Sequence, residues 1–234
     1  MKNQIQQLWE GFSNLFYPNL CLACNYNAPS AGEIFCLNCI IKLPKTKHHL
    51  EKENEFTRRL WGRVELNAGG ALFLYSKKGR AQRLIYNLKY KGKKEVGVEV
   101  GKMYGFKLRN APLFQNLDVI VPVPLHWKKE RMRGYNQSTE FGKGLAEVLS
   151  IPLLVNALKR NIHSDSQTRK SREERMKNVL EAFEVDRSKE LKGKHILLVD
   201  DVLTTGATIE ACASKILKVE GTKVSALTIA IAQV

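Results

Sequence analysis

The chain has 234 residues, 44% of them hydrophobic, enough for one substantial core plus a smaller module and unlike the composition of a disordered or fibrous protein. No apolar run reaches the ~18 residues of a membrane span, and the first twenty residues, with a single Lys and no unbroken apolar stretch, do not read as a secretory leader. A cytoplasmic protein without membrane insertion is therefore expected. The formal net charge is +15, and residues 61–130 hold 14 basic side chains against 5 acidic, while residues 196–234 are slightly acidic. Such an excess suits polyanionic partners, either nucleic acid or phosphorylated small molecules. Charge alone does not separate these from a solvated lysine-rich surface.

Along the chain, Ile5, Leu8, Trp9, Phe12, Leu15 and Phe16 recur at helical spacing and predict an amphipathic helix. Next comes CLACNYNAPSAGEIFCLNC, in which Cys21 and Cys24 form one C-x2-C pair and Cys36 and Cys39 a second. Two such knuckles present four thiolates to one zinc ion, with Asn25, Asn27, Pro29 and Gly32 suited to the turns. Disulfides fit a reducing compartment poorly, and a redox pair needs only one such motif. Four thiolates leave no open coordination position, so the zinc is read as structural. Residues 1–50 are read as this helix and module, 51–65 as a linker, and 66–234 as the main domain. In the polar, charged stretch IIKLPKTKHHLEKENEF beyond Cys39, His48 and His49 read as a solvated pair.

The main domain alternates between the two periodicities. ALFLY (71–75) has strand character, RAQRLIYNLKY (80–90) places Leu84, Ile85 and Leu88 on one helical face, and 95–109 is helical again. DVIVPVP (118–124) reads as a buried strand and 136–149 as a helix. A charged helix (171–181), a short strand AFEV, the strand HILLVD, a helix over 206–219 and the strand KVSALTIAIA complete the pattern. Alternation of this kind predicts an α/β fold, a mostly parallel sheet with helices on both faces and ligands beyond the carboxyl ends of the strands. Cys212 reads as a small buried hydrophobe on the 206–219 helix. Packing in the core or at a hinge is expected for Tyr17, Tyr26 and Trp61, in preference to stacking on bases.

HILLVDDVLTTGAT (195–208) occupies such a strand end. The acidic pair Asp200 and Asp201 precedes Thr204, Thr205, Gly206, Ala207 and Thr208, a turn into a helix whose free amides suit a phosphate. Two carboxylates can accept from vicinal hydroxyls of a sugar carrying that phosphate, which describes a ribose 5-phosphate. An N-capping Asp explains one carboxylate and leaves the other without a role.

This segment resembles the binding motif for 5-phosphoribosyl 1-pyrophosphate (PRPP) in type I phosphoribosyltransferases. Together with the cysteine module, VPVPLHWKKERMRGYNQ and SQTRKSREERMKNVLEAF, the chain is similar to ComF-family proteins, and the resemblance spans about residues 5–234. It implies the type I phosphoribosyltransferase fold with a small zinc-ribbon-like module in front. By the same resemblance Pro124, Leu125 and His126 form a loop that meets the pyrophosphate of PRPP, assisted by Arg131 and Arg133 of the R-x-R-G element. Asn136 and Gln137 match too, although an N-cap explains Asn136 equally well. Arg160, Gln167 and Arg175 match a mobile loop and its following helix. Lys89, Tyr90 and Gly92 match an element, LKYKG, without an evident chemical role. The resemblance implies Mg2+ held among PRPP oxygens, with Asp200 and Asp201 near the developing positive charge if transfer occurs. The implied setting is DNA uptake in natural transformation, with single-stranded DNA or the uptake machinery as partners. The alternative is an active phosphoribosyltransferase acting on an unidentified nitrogen acceptor.

Overall fold

The computed structural model describes residues 19–160 and 182–233. The helix expected over 5–16, the charged helix over 171–181, and Tyr17, Gln167 and Arg175 lie outside the described residues. Two short helices, α1 (Leu37–Lys42) and α2 (Glu55–Arg58), precede β1 (Gly69–Tyr75). Helices α3 (Arg80–Tyr90) and α4 (Glu95–Leu108) lead to β2 (Val119–Pro122), which α5 (Trp127–Arg133) and α6 (Gln137–Leu149) follow. A ribbon of β3 (Leu158–Arg160) and β4 (Phe183–Val185) and then α7 (Ser188–Leu191) bring the chain to β5 (His195–Leu203), α8 (Ala207–Ile216) and β6 (Lys223–Ala232).

The main sheet has the order β1–β6–β5–β2, and its three pairings are parallel. Parallel strands need crossovers, and the helices supply them while burying both faces of the sheet. On one face Leu84 and Leu88 of α3, Tyr104 of α4 and Phe141 and Leu145 of α6 pack on Leu197, Val199 and Leu227. The other face carries Ile209, Cys212 and Ile216 of α8 with Phe56, Leu60 and Leu191 over Ile196, Leu198 and Ala226. Cys212 is thus a small core residue, as its neighbours in sequence suggest. Among the described residues no helix is long and apolar enough to cross a membrane.

Helices α4 and α6 approach closely because glycines face each other. A Cβ added at Gly101 would lie 2.3 Å from the Phe141 carbonyl oxygen, and one at Gly144 2.0 Å from that of Val98. Backbone cannot yield as a flexible side chain does, so Gly101→Ala is expected to cost about 1–3 kcal/mol. Urea denaturation measures this, and an unchanged midpoint would contradict the packing.

Residues 44–64 do more than connect. The Thr46 amide donates to the Leu72 carbonyl at 2.8 Å and that of Leu74 to the Pro44 carbonyl at 2.8 Å, which covers the edge of β1. Asn54 caps α2, accepting from the Phe56 and Thr57 amides, and its Nδ2 donates to the Gly69 carbonyl at 2.9 Å. Phe56 and Leu60 then sink into the core. His48 and His49 are correspondingly buried rather than solvated, and loss of hydration holds both below the usual histidine range. Tyr26 and Trp61 depart from expectation in the opposite sense: they are 84% and 79% exposed instead of packed in the core or at a hinge.

Candidate functional site

β5 runs past the acidic pair to Leu203, so Asp200 and Asp201 lie inside the strand rather than after it. Leu197 and Val199 face the α3–α6 layer, while Ile196 and Leu198 face the α8 layer. Beyond the pair Val202 packs with the first layer and Leu203 with the second, so the alternation slips by one residue at Asp200–Asp201.

Both carboxylates are held through one oxygen. Asp200 Oδ1 accepts from Ser138 Oγ at 2.9 Å and from the Asp201 amide at 2.8 Å. Asp201 Oδ1 receives Lys89 Nζ at 2.9 Å. Oδ2 of each has no hydrogen-bond partner among the described residues. Burial, followed by the adjacent Asp201 charge, raises the Asp200 carboxyl to about 7. Two acceptors with a spare oxygen apiece can receive neighbouring hydroxyls.

Three residues farther on, Thr204 to Gly206 turn the chain into α8. Gly206 adopts φ +84°, a left-handed conformation that strains other residues, and a Cβ there would sit 2.8 Å from Leu60 Cδ2. Ala207 and Thr208 open the helix, where amides without intrahelical partners and the helix dipole favour an anion. The Thr205 hydroxyl oxygen lies 3.5 Å from the Ala207 amide.

At the neighbouring strand end, Pro124, Leu125 and His126 follow β2, as the sequence suggests. His126 caps α5, accepting from the Lys128 amide at 3.2 Å. Arg131 and Arg133 lie on α5. Arg131 is exposed, while Arg133 donates to Gln137 Oε1 at 2.8 Å and lies 5.4 Å from the Tyr90 ring centre. Asn136 caps α6, accepting from the Ser138 amide, and donates to the Val123 carbonyl at 2.9 Å, so its structural role is accounted for. Arg160 is exposed on β3 beside Phe183.

Sequence reasoning missed Ser138 as a partner of Asp200 and left Lys89 without a role. The LKYKG match was the available signal: it carries the lysine that neutralises Asp201 and, at Tyr90, the ring under Arg133. Arg59, Arg63 and Glu210 gave no local signal.

The four cysteine sulfurs lie within 4.8 Å of one another, so the cluster can hold a metal ion. Tetrahedral thiolate ligation at ~2.3 Å requires sulfurs about 3.8 Å apart, and Cys24 and Cys36 stand at 4.0 Å. The amides of Ala23 and Cys36 donate to Cys21 Sγ at 3.4 and 3.3 Å and fix that sulfur in the cluster. Burial raises Cys24, but hydrogen bonds from the Asn27 and Tyr26 backbone and from neighbouring thiols outweigh it and hold the group at about 6. The module docks on α3, where Asn87 Nδ2 donates to the Leu22 carbonyl at 2.7 Å and Arg83 to that of Cys24.

A phosphoribosyl transferase domain model matches residues 136–232. Competence protein F of Haemophilus influenzae is 33% identical over 139 residues, covering 58% of this chain and 60% of that protein. The DNA utilization protein YhgH of Escherichia coli K12 is 29% identical over 138 residues, with the same coverage, 58% and 60%. Competence protein ComFC of Bacillus subtilis is 30% identical over 112 residues, 47% of this chain and 43% of that one. The chain therefore spans less than two thirds of the length of each of these relatives.

Proposed function

We propose that this chain is a ComF-like protein, a type I phosphoribosyltransferase domain preceded by a four-cysteine module, that binds PRPP at the end of β5 and acts in DNA uptake and processing. The observation that carries the reading is the continuous run from two half-engaged carboxylates into the Gly206 turn and the amides of α8. Asp200 and Asp201 accept the ribose hydroxyls O2 and O3, and Thr204 to Thr208 bind the 5-phosphate. Pro124, Leu125 and His126 meet the pyrophosphate, with Arg131 and Arg133 adding positive charge. PRPP would carry Mg2+ with it, and the ion would offset the pyrophosphate charge. The ligand sets the state of the protein rather than being consumed. The cysteine cluster holds a structural zinc ion, and the protein works in the cytoplasm.

DNA contact is supported by an aromatic and basic surface close to this site. Tyr86, Tyr90 and Trp127 are exposed, with Lys91, Arg133 and Lys128 respectively 5.9, 5.4 and 5.5 Å from their ring centres. Exposed rings bordered by cations suit stacked bases and their phosphates. Fluorescence anisotropy with an oligothymidylate should show affinity falling steeply and linearly with log salt. Tyr86→Ala with Tyr90→Ala should weaken it by about tenfold or more. Absence of binding at low salt, or a flat salt response, contradicts the DNA role. Acceptor-dependent release of pyrophosphate from PRPP would replace the regulatory reading with a transferase.

A further inference from the structure

We infer that Arg59 and Arg63, from the segment between the cysteine module and the sheet, are positioning residues that aim the amides of the Thr204–Gly206 turn. Arg59 Nη1 donates to the Thr204 carbonyl at 2.8 Å, across 145 residues of sequence, while its Nη2 donates to Glu55 and to the Ala232 carbonyl. Arg63 Nη1 donates to the Thr205 carbonyl at 2.7 Å and to that of Arg59 at 3.0 Å. The other arm of its guanidinium pairs with Glu210, a buried carboxylate in the first turn of α8. Leu60, between the two arginines, packs against Gly206.

The consequence follows from peptide planarity. In a trans peptide the carbonyl of one residue and the amide of the next point in opposite directions, and no described peptide bond is cis. Holding the Thr204 and Thr205 carbonyls towards the arginines therefore turns the Thr205 and Gly206 amides away from them. Those are amides of the turn assigned to the 5-phosphate. A guanidinium is suited to this task because its rigid fork reaches a carbonyl and a carboxylate at once, which a lysine ammonium does not reproduce. Neither arginine needs to touch the ligand. Each acts on the backbone that does, and each belongs to a segment anchored by Asn54, Phe56 and Leu60. The inference rests on the ribose 5-phosphate reading of the turn.

Calorimetric titration of the full chain with ribose 5-phosphate, with PRPP and Mg2+, and with Mg2+-pyrophosphate tests it. Arg63→Ala should weaken the first two by about tenfold or more and leave pyrophosphate unchanged. Arg63→Lys should recover part of the loss, and if Arg63→Ala fails to fold, Arg63→Lys and Glu210→Gln should each show a smaller weakening with the same ligand selectivity. An equal loss on all three ligands overturns the positioning role, because general damage does not single out the 5-phosphate. Wild-type affinity in the Arg63 variants, with binding lost in the Asp200→Asn, Asp201→Asn double variant, overturns the role and leaves the ligand reading standing. A wild-type chain that binds neither ribose 5-phosphate nor PRPP overturns both.

Discussion

Asp200→Asn is expected to make the unliganded protein more stable at pH 8 and nearly unchanged at pH 4, while weakening PRPP binding. The Asp200 carboxyl sits at about 7 in the folded chain against an ordinary 3.8, through burial and the neighbouring Asp201 charge. Between those values the folded chain keeps a proton that the unfolded chain has released, so stability falls as pH rises through this window. Above pH 7 the ionised group costs stability, on the order of a few kcal/mol. Asparagine removes the charge and keeps an oxygen that can accept from Ser138 and the Asp201 amide. Thermal unfolding at the two pH values measures the effect, expected as several degrees at pH 8. A destabilised variant at pH 8 would show that the carboxylate is needed by the fold. Combined with Asp201→Asn, the substitution should weaken PRPP binding by at least about 100-fold, since two hydrogen bonds to charged acceptors are lost. Metal content should not change.

The second large effect is expected in the cysteine cluster. Purified protein should hold one zinc ion per chain, measured by elemental analysis. Cys36→Ser or exhaustive chelation should abolish this and lower the melting temperature by more than about 10 °C, because structural zinc contributes on the order of 10 kcal/mol to such modules. The loss should spread beyond the module, since Cys21, Cys39, Phe35 and Leu43 share one buried cluster with Leu84 and Leu88 of α3. That same helix carries Lys89, the partner of Asp201. Ligand affinity should therefore fall along with stability in the metal-free protein. Full stability after chelation would contradict a structural metal.

The acidic pair and its turn were legible in the sequence because their components are contiguous: apolar strand, two carboxylates, threonines and a glycine within 14 residues. The cysteine cluster was legible for a similar reason, since each knuckle is local. What escaped is what the fold brings together across distance. Lys89 reaches Asp201 over 112 residues, Ser138 reaches Asp200 over 62, and Arg63 reaches Glu210 over 147. His48 and His49 sit in a polar, charged stretch that suggests solvent, yet they are covered by the packing of that stretch along β1. Trp61 misleads in the other direction, because a large aromatic ring suggests a core while Phe56 and Leu60 take the buried positions of that segment. The three-residue strand β3 is too short for alternation to reveal. At β5 the expected strand ended too early because the two carboxylates look like a terminus, whereas the ladder pairs Val202 with Ala230 beyond them.

A crystal structure of the chain with PRPP and Mg2+ tests the central assignment most directly. The ribose O2 and O3 hydroxyls are expected within hydrogen-bond distance of Asp200 and Asp201, and the 5-phosphate against the amides of residues 205–208. PRPP bound elsewhere, or with its phosphate away from the Gly206 turn, would contradict it.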